Sequence, residues 1–519
     1  MRKSQILLGS LALLSMGLYS CSSEEPANNG NNTTVDGDRY MAVRISTAGM
    51  GTRAEGDPVY EDAVGNEAQI TAENVRFYFF TKDGDAFKMT GSNINADYEA
   101  TSNMVKPSMI TSNKEQDGNE AVLSGTLVLG KPEAGYLGTV PYQVLCVVNG
   151  TFANYDNKSL TEVLAEIENA PSVWSSFVMT SSSYSDGTNV VYTSTVADKI
   201  ETTPEAAQEN PVQIYIERLA AKVRVAGLKT WDVQALDEDG NVVDTKFTVF
   251  DKDGNPTETS FKVTLTGWTL HHTATEAYGI KHIAANGNYF TGWNLPDYHR
   301  SFWSVTKDNL SVASGNYDIA DAATFPYGNF ETSKPTENIA YCYENTSYPV
   351  ASASDRSQDA TAIVFRGVIE DEQGNPVNLT KWSGVYFLEN DLKENIANSW
   401  NTDVENKDNQ ITVDDIYFSE PEANVYKALA KINGVETELG FDNIQRWVDG
   451  QTSYYANIKH LGGKFGVVRN HIYDYTLSNV IGLGIPGNDD DTPEEVDTYV
   501  AAYINVLTWR VVSNSLILQ

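Results

Sequence analysis

Residues 212–225 read VQIYIERLAAKVRV, a strand-like run rich in β-branched residues. It is longer than an ordinary strand, so it can finish one β-sandwich and enter the next. A domain boundary is therefore expected between residues 218 and 219. Strand-like runs lie on both sides of it. Upstream are NVRFYFFTK (74–82), AVLSGTLVL (121–129), YQVLCVVNG (142–150) and NVVYTSTV (189–196). Downstream are SFKVTLTGWTL (260–270) and ATAIVFRGVIED (360–371). Short spacings and abundant turns predict a mainly β fold built of sandwiches.

Tight hairpin turns are expected at KDGD (82–85), EDGN (238–241) and KDGN (252–255). The Asp-x-Asp-Gly of residues 251–254 touches a calcium-loop pattern but lacks its remaining oxygen ligands, so it reads as a turn. Few helices interrupt the strands. Ser159 and Glu162 make a capping box before Leu160, Val163, Leu164 and Ile167, which share one helical face. A second helix is expected at ENDLKENIANSW (389–400), with Asp391 near its cap and Leu388, Leu392 and Ile396 spaced four apart. A short one fits FDNIQRWVD (441–449).

The chain has 519 residues, more than one core normally serves, and its apolar content of 41% suffices to bury several. Its 70 acidic and 36 basic residues leave a net charge of −34, which argues against a nucleic-acid partner. Such a balance suits a highly soluble surface protein.

The N-terminus reads as an address. Arg2 and Lys3 precede the apolar ILLGSLALLSMGLYS (6–20), too short to remain as a membrane span. Cys21 follows at once, as in a bacterial lipoprotein signal whose cleavage leaves the cysteine to be lipidated. Residues 22–38 form a polar tether whose Glu24 and Glu25 resemble the export tag of Bacteroidetes surface lipoproteins. Then comes YMAVRISTA (40–48), where Met41, Val43 and Ile45 alternate with polar or small residues as in a half-buried strand. The loop GMGTRAEGDP (49–58) follows, carrying Arg53 where proteases would cut.

No motif carries chemistry. Nucleophile elbow, phosphate loop, dinucleotide fingerprint and zinc-protease helix are all missing, so no enzyme activity and no cofactor are expected. His271, His272 and His282 cluster at spacings that fit no zinc pattern and read as surface or loop residues. Trp382, Trp400 and Trp447 could line a glycan platform, although core positions explain them equally well. Cys146 and Cys342 sit in strand-like runs and read as buried thiols. The chain ends on an apolar run after an acidic linker at 484–497. There Val500, Ala502, Ile504 and Val506 point to one face, Leu507, Trp509 and Val511 to the other, and Leu516 and Leu518 extend the run.

The C-terminal third resembles the Bacteroidales fimbrillins, and within them the minor-fimbria (Mfa-type) shaft subunits of type V pili. The likeness rests on YYANIKHLGGKFGVVRNHIYDYTLSNVIGLGIPG (454–487), whose VVRN and IY match that group's signature, and on the tail INVLTWRVV (504–512). IERLAAKVRV (216–225), YCYENT (341–346), TAIVFRGVI (361–369) and GTRAEGDP (51–58) extend it. One departure is Thr508, which stands where the family tail has a proline.

This resemblance implies two transthyretin-like β-sandwich domains, 54–218 and 219–483, and a C-terminal donor strand, 498–519. It implies a signal peptide at 1–20 and a lipidated segment at 21–53 that is lost when a protease cuts between Arg53 and Ala54. Loss of the strand carrying Met41, Val43 and Ile45 would open a groove for a neighbour's tail. The implied partners are other fimbrial subunits, including tip and anchor proteins, then the outer membrane before cleavage, and adhesion receptors. A lipid-anchored glycan-binding protein or a fimbrial anchor subunit is the alternative.

Overall fold

The computed structural model describes residues 39–47, 70–90, 101–107, 111–114, 121–136, 139–171, 174–185, 189–236, 242–283, 312–313, 339–346, 361–403, 409–421, 425–460, 466–486 and 510–518. Among these, strands dominate and two large sheets carry the fold, both within one unit spanning residues 37–519.

The first sheet is built from β1 (Arg39–Thr47), β2 (Ala121–Leu129) and β3 (Val212–Arg218), with Val75–Phe80, Gln143–Val148 and shorter strands beside them. Period-two alternation explains why it folds. Val75, Phe77 and Phe79 enter one apolar core, while Tyr78 and Phe80 enter another on the opposite face. The first core also takes Met41, Val43 and Ile45 from β1, Leu123 and Leu127 from β2, and Val212, Ile214 and Ile216 from β3. Every principal strand thus feeds the same interior, so the sheet curls around it.

The second sheet begins immediately after Leu219, with β4 (Ala220–Ala226). The run 212–225 is therefore two strands, and the inward side changes phase at the break. Ile214 and Ile216 face the first core, whereas Ala221, Val223 and Val225 face the second. Beyond β4, Gly227 takes a left-handed φ of +93°, and a Cβ there would lie 3.0 Å from the Leu477 carbonyl oxygen. That kink lets the chain continue as Thr230–Leu236 along the same partner, β5 (His471–Ile481). Both pairings with β5 are parallel. Lys262–His271, Ala362–Glu370 and Gln451–Asn457 complete the sheet by antiparallel pairing, burying Trp268, Phe365 and Tyr454.

The capping box is present: Ser159 and Glu162 satisfy each other's backbone at the start of α1 (Leu160–Leu164). Ile167 does not extend that helix. It lies in a strand, Ile167–Asn169, that pairs with Glu276–Tyr278 of the second half. α2 (Pro204–Glu209) packs against β1. The helix expected at 389–400 is α3 (Glu389–Asp403), with Leu392 and Ile396 buried. Leu388 falls outside it, because Ser383 and Gly384 form a positive-φ turn that folds Leu379–Trp382 onto Val385–Leu388. Residues 441–449 do not make the expected helix either, apart from a single 3-10 turn at Val448–Gly450. Gln445–Trp447 pairs with the Leu379–Trp382 strand, and tertiary pairing overrides the local helical spacing.

The turns at 82–85 and 252–255 are present, with Thr81 and Asp85 bonded across the first. Asp251 accepts from the amides of Asp253 and Asn255 at 2.9 and 2.8 Å, and these bonds hold its carboxyl below the ordinary carboxylate range, Asn255 foremost. The turn expected at 238–241 lies outside the described residues.

Candidate functional site

β1 is an interior strand. It runs parallel to β3, with Val43 opposite Val212 and Ile45 opposite Ile214. It runs antiparallel to β2, with Met41 opposite Leu127 and Ile45 opposite Leu123. Met41, Val43 and Ile45, the three residues singled out by their alternation, are all buried. Ala42 is buried too, beneath the sheet's other face, and Tyr40 exchanges backbone bonds with Glu201 at 2.8 and 2.9 Å. Burial of the three large side chains is worth on the order of 5–9 kcal/mol. Taking β1 away would leave two unpaired edges, β2 and β3, around an apolar slot.

The end of the chain forms a second special edge. β6 (Arg510–Leu518) lies parallel to β5, with Val511 opposite Ile472, Leu516 opposite Leu477 and Leu518 opposite Val480. The other side of β5 is occupied by β4 and the strand that continues it, so β6 covers the sheet's open edge. Val500, Ala502, Ile504, Val506, Leu507 and Trp509 lie outside the described residues, as do Cys21, Arg53 and Ala54. The linker's first residues belong to the sheet, since Ile485 and Pro486 pair with Ser453 and Thr452.

Between these two places, VVRN at 467–470 acts as a latch. Val467 exchanges backbone bonds with Asn345 at 2.9 and 2.8 Å. The buried Arg469 guanidinium pairs with the buried Glu344 carboxylate and donates to the carbonyls of Tyr278 at 2.7 Å and Gly279 at 3.2 Å. Burial alone would ease its proton off, but Glu344, with Glu217 and Tyr343 behind it, outweighs that and raises the guanidinium pKa. Asn470, at a left-handed φ of 58°, donates its amide to Ala220 and accepts from the Arg218 amide at 3.4 Å. Nearby, Lys281 and Glu217 form a further buried ion pair at 3.4 Å. These groups meet where β3 gives way to β4. In the sequence only the family likeness marked VVRN, and nothing local pointed to Glu344, Glu217 or Lys281.

The other candidates behave differently. His271 is buried rather than exposed, because it closes a core strand, and burial with His272 alongside pushes its pKa down to about 4. His282 hydrogen-bonds the Leu164 carbonyl at 2.6 Å and stacks on Tyr278. Among the described residues, no three His, Cys, Asp or Glu side chains are placed to hold a metal ion. Trp447 is buried, with its indole N–H donating to Leu483, while Trp382 and Trp400 pack on the α3 core. All three tryptophans are structural. Cys146 and Cys342 are free, buried thiols in different sheets.

Residues 445–515 match the family model for the C-terminal part of fimbrillin, described as the major fimbrial subunit protein type IV. Solved structures with some likeness include a cell-adhesion protein candidate from Parabacteroides distasonis, 10% identical over 65% of this chain and 77% of that one, at a TM-score of 0.31. A fimbrial assembly protein from the same species is 12% identical over 65% and 82%, at 0.25. The tip fimbrial protein Mfa3 of Porphyromonas gingivalis, truncated at its C-terminus, is 9% identical over 66% and 81%, at 0.26. No curated protein matches the chain. Residues 445–515, from the Gln445 strand through β5 and into β6, are where the chain is similar to the C-terminal part of fimbrillin.

Proposed function

We propose that the protein is a shaft subunit of a surface fimbria, exported as a lipoprotein on Cys21 and matured by cleavage between Arg53 and Ala54. Cleavage frees the segment that carries β1, and the tail of a neighbouring subunit, within residues 498–519, takes its place. The observation that carries this reading is the interior position of β1 between β2 and β3. An edge strand could leave a sheet without opening a slot, whereas the departure of β1 creates a strand-shaped vacancy with two hydrogen-bonding sides.

The tail's own resting place suits the exchange. Among the described residues, β6 is paired along one side, while β1 is paired along both. Releasing β6 therefore costs less backbone pairing than releasing β1. Because tail and slot are different surfaces, each exchange leaves one of each free, and the assembly grows as a filament.

The test compares trypsin-treated full chain with a variant lacking residues 498–519. Heat-resistant ladders from the full chain and none from the variant are expected. Ladders that persist without the tail would rule the reading out. N-terminal sequencing of surface-assembled protein should begin at Ala54; a lipidated Cys21 there would indicate an anchor subunit instead.

A further inference from the structure

The places that β1 fills are not alike. On the inward face, Met41 stands opposite Leu127, Val43 opposite Gly125 and Ile45 opposite Leu123. Gly125 has no side chain to pack, so position 43 has the most lateral room of the three. On the outward face, Ala42 stands opposite Thr126 and Arg44 opposite Ser124. Ala42 is only 4% exposed, whereas Arg44 is half-buried. The difference comes from α2, which packs against β1 and whose Gln208 amide donates to the Thr126 hydroxyl at 3.2 Å. Only Asn210 and Pro211 separate α2 from β3, so this roof is tied to both strands that remain when β1 leaves. The slot therefore has a closed cell at position 42 and an open one at position 44.

Resting on the strand exchange proposed above, we infer that the slot takes residues Leu507 to Val511 of a second copy of the chain. They run parallel to β3, with Leu507 in the place of Met41 and Val511 in that of Ile45. The two segments correspond place by place: β1 reads Met41-Ala42-Val43-Arg44-Ile45, and the tail reads Leu507-Thr508-Trp509-Arg510-Val511. Three large apolar residues take the inward places, small Thr508 comes beneath α2, and Arg510 takes the open place that holds Arg44. Trp509, the bulkiest of the five, comes opposite Gly125, an aromatic–glycine pairing that favours adjacent strands.

Other alignments fail at one place or another. Reversing the segment puts Arg510 beneath α2. Sliding it by one residue turns Leu507, Trp509 and Val511 outward. Sliding it by two brings Asn505 inside, or brings Ser513 inside with Arg510 beneath α2. Further upstream, residues 500–504 also alternate, but they bring Ala502 to position 43, opposite Gly125, and leave that cell underfilled. Arg510 and Val511 also open β6, opposite His471 and Ile472. A seated strand uses both of its hydrogen-bonding sides, so the tail either rests on its own subunit or seats in the next.

The test uses full-length chains carrying one new cysteine each, Ser124→Cys and Arg510→Cys, mixed, treated with trypsin and then oxidised. Opposed residues of an antiparallel pair lie ~4.5–5.5 Å apart between Cα atoms, within reach of a disulfide. A disulfide between the two chains is expected in the ladders by mass spectrometry, and none before trypsin, when Arg44 still faces Ser124. The pairs Thr126→Cys with Arg510→Cys, and Ser124→Cys with Tyr503→Cys, report the reversed strand and the upstream segment. Ladders in which either of those bonds forms, or in which positions 124 and 510 stay unbonded, overturn the inference and leave the strand exchange standing. Absence of ladders from the unsubstituted chain overturns both. The roof has its own readout: Thr508→Trp should slow ladder formation at least about tenfold more than Arg510→Trp does. Equal slowing by the two would show that α2 does not select the register, and would also overturn the inference.

Discussion

Arg469 and Glu344 form an ion pair closed off from solvent where the two large sheets meet. The pair is fixed by more than its charges, since Arg469 also caps the carbonyls of Tyr278 and Gly279 next to the Glu276–Tyr278 strand. It therefore ties β5, the Ile339–Tyr343 strand and the inter-sheet pairing into one block.

Removing one partner takes from the other the ion pair that offsets its buried charge. Arg469→Met is expected to cost about 3–5 kcal/mol in urea unfolding. The double variant Arg469→Met/Glu344→Leu should recover a large part of that loss. A single-variant cost below about 1 kcal/mol would mean the pair is effectively solvated.

β1 offers a test that separates precursor from product. Val43→Asp puts a carboxylate into the first core, so the precursor should lose about 3 kcal/mol or more and melt earlier. If β1 departs on maturation, the assembled polymer carrying the same substitution should melt as the parent polymer does. An equal drop in both would show that β1 stays in place.

Acid sensitivity follows from His271. Its folded-state pKa of about 4 lies below the ordinary 6.5, so the unfolded chain takes up the proton first. The stability it contributes is complete above pH 6.5 and is lost as pH falls toward about 4. Half-buried His282, also shifted down chiefly by its burial, adds to the loss in the same direction. His271→Gln should remove about 2–3 kcal/mol of the difference between unfolding at neutral and at acid pH. An unchanged pH slope would clear His271 of that role.

The thiols should be silent in the folded protein. Burial pushes the Cys342 thiol up to about 12 and shifts Cys146 upward as well, so neither presents a thiolate at neutral pH. A colourimetric disulfide reagent should modify neither in the native state and both once the chain is unfolded. Rapid native labelling of either would contradict their burial.

Much of this architecture could be read along the chain. Side-chain alternation marked β1, strand-like runs marked β2 and the Gln143–Val148 strand, and the Ser159–Glu162 box marked α1, because side-chain pattern and cap chemistry are local properties. Reading failed where a partner from afar decided the outcome. Ile167, Leu388 and residues 445–447 were drawn into strands by pairings that local spacing does not record.

The sequence by itself determined that the chain is mainly β, that residues 212–225 join two halves, and that Met41, Val43 and Ile45 share one buried face. Only the tertiary structure decided that β1 lies inside its sheet, that β6 rests on β5, and that Arg469 finds Glu344. The physical reason is that alternation selects which face of a strand is buried, through side chains. Which strand lies beside it is settled by backbone N–H and C=O groups, which are the same in nearly every residue, and by core shape completed across distant parts of the chain.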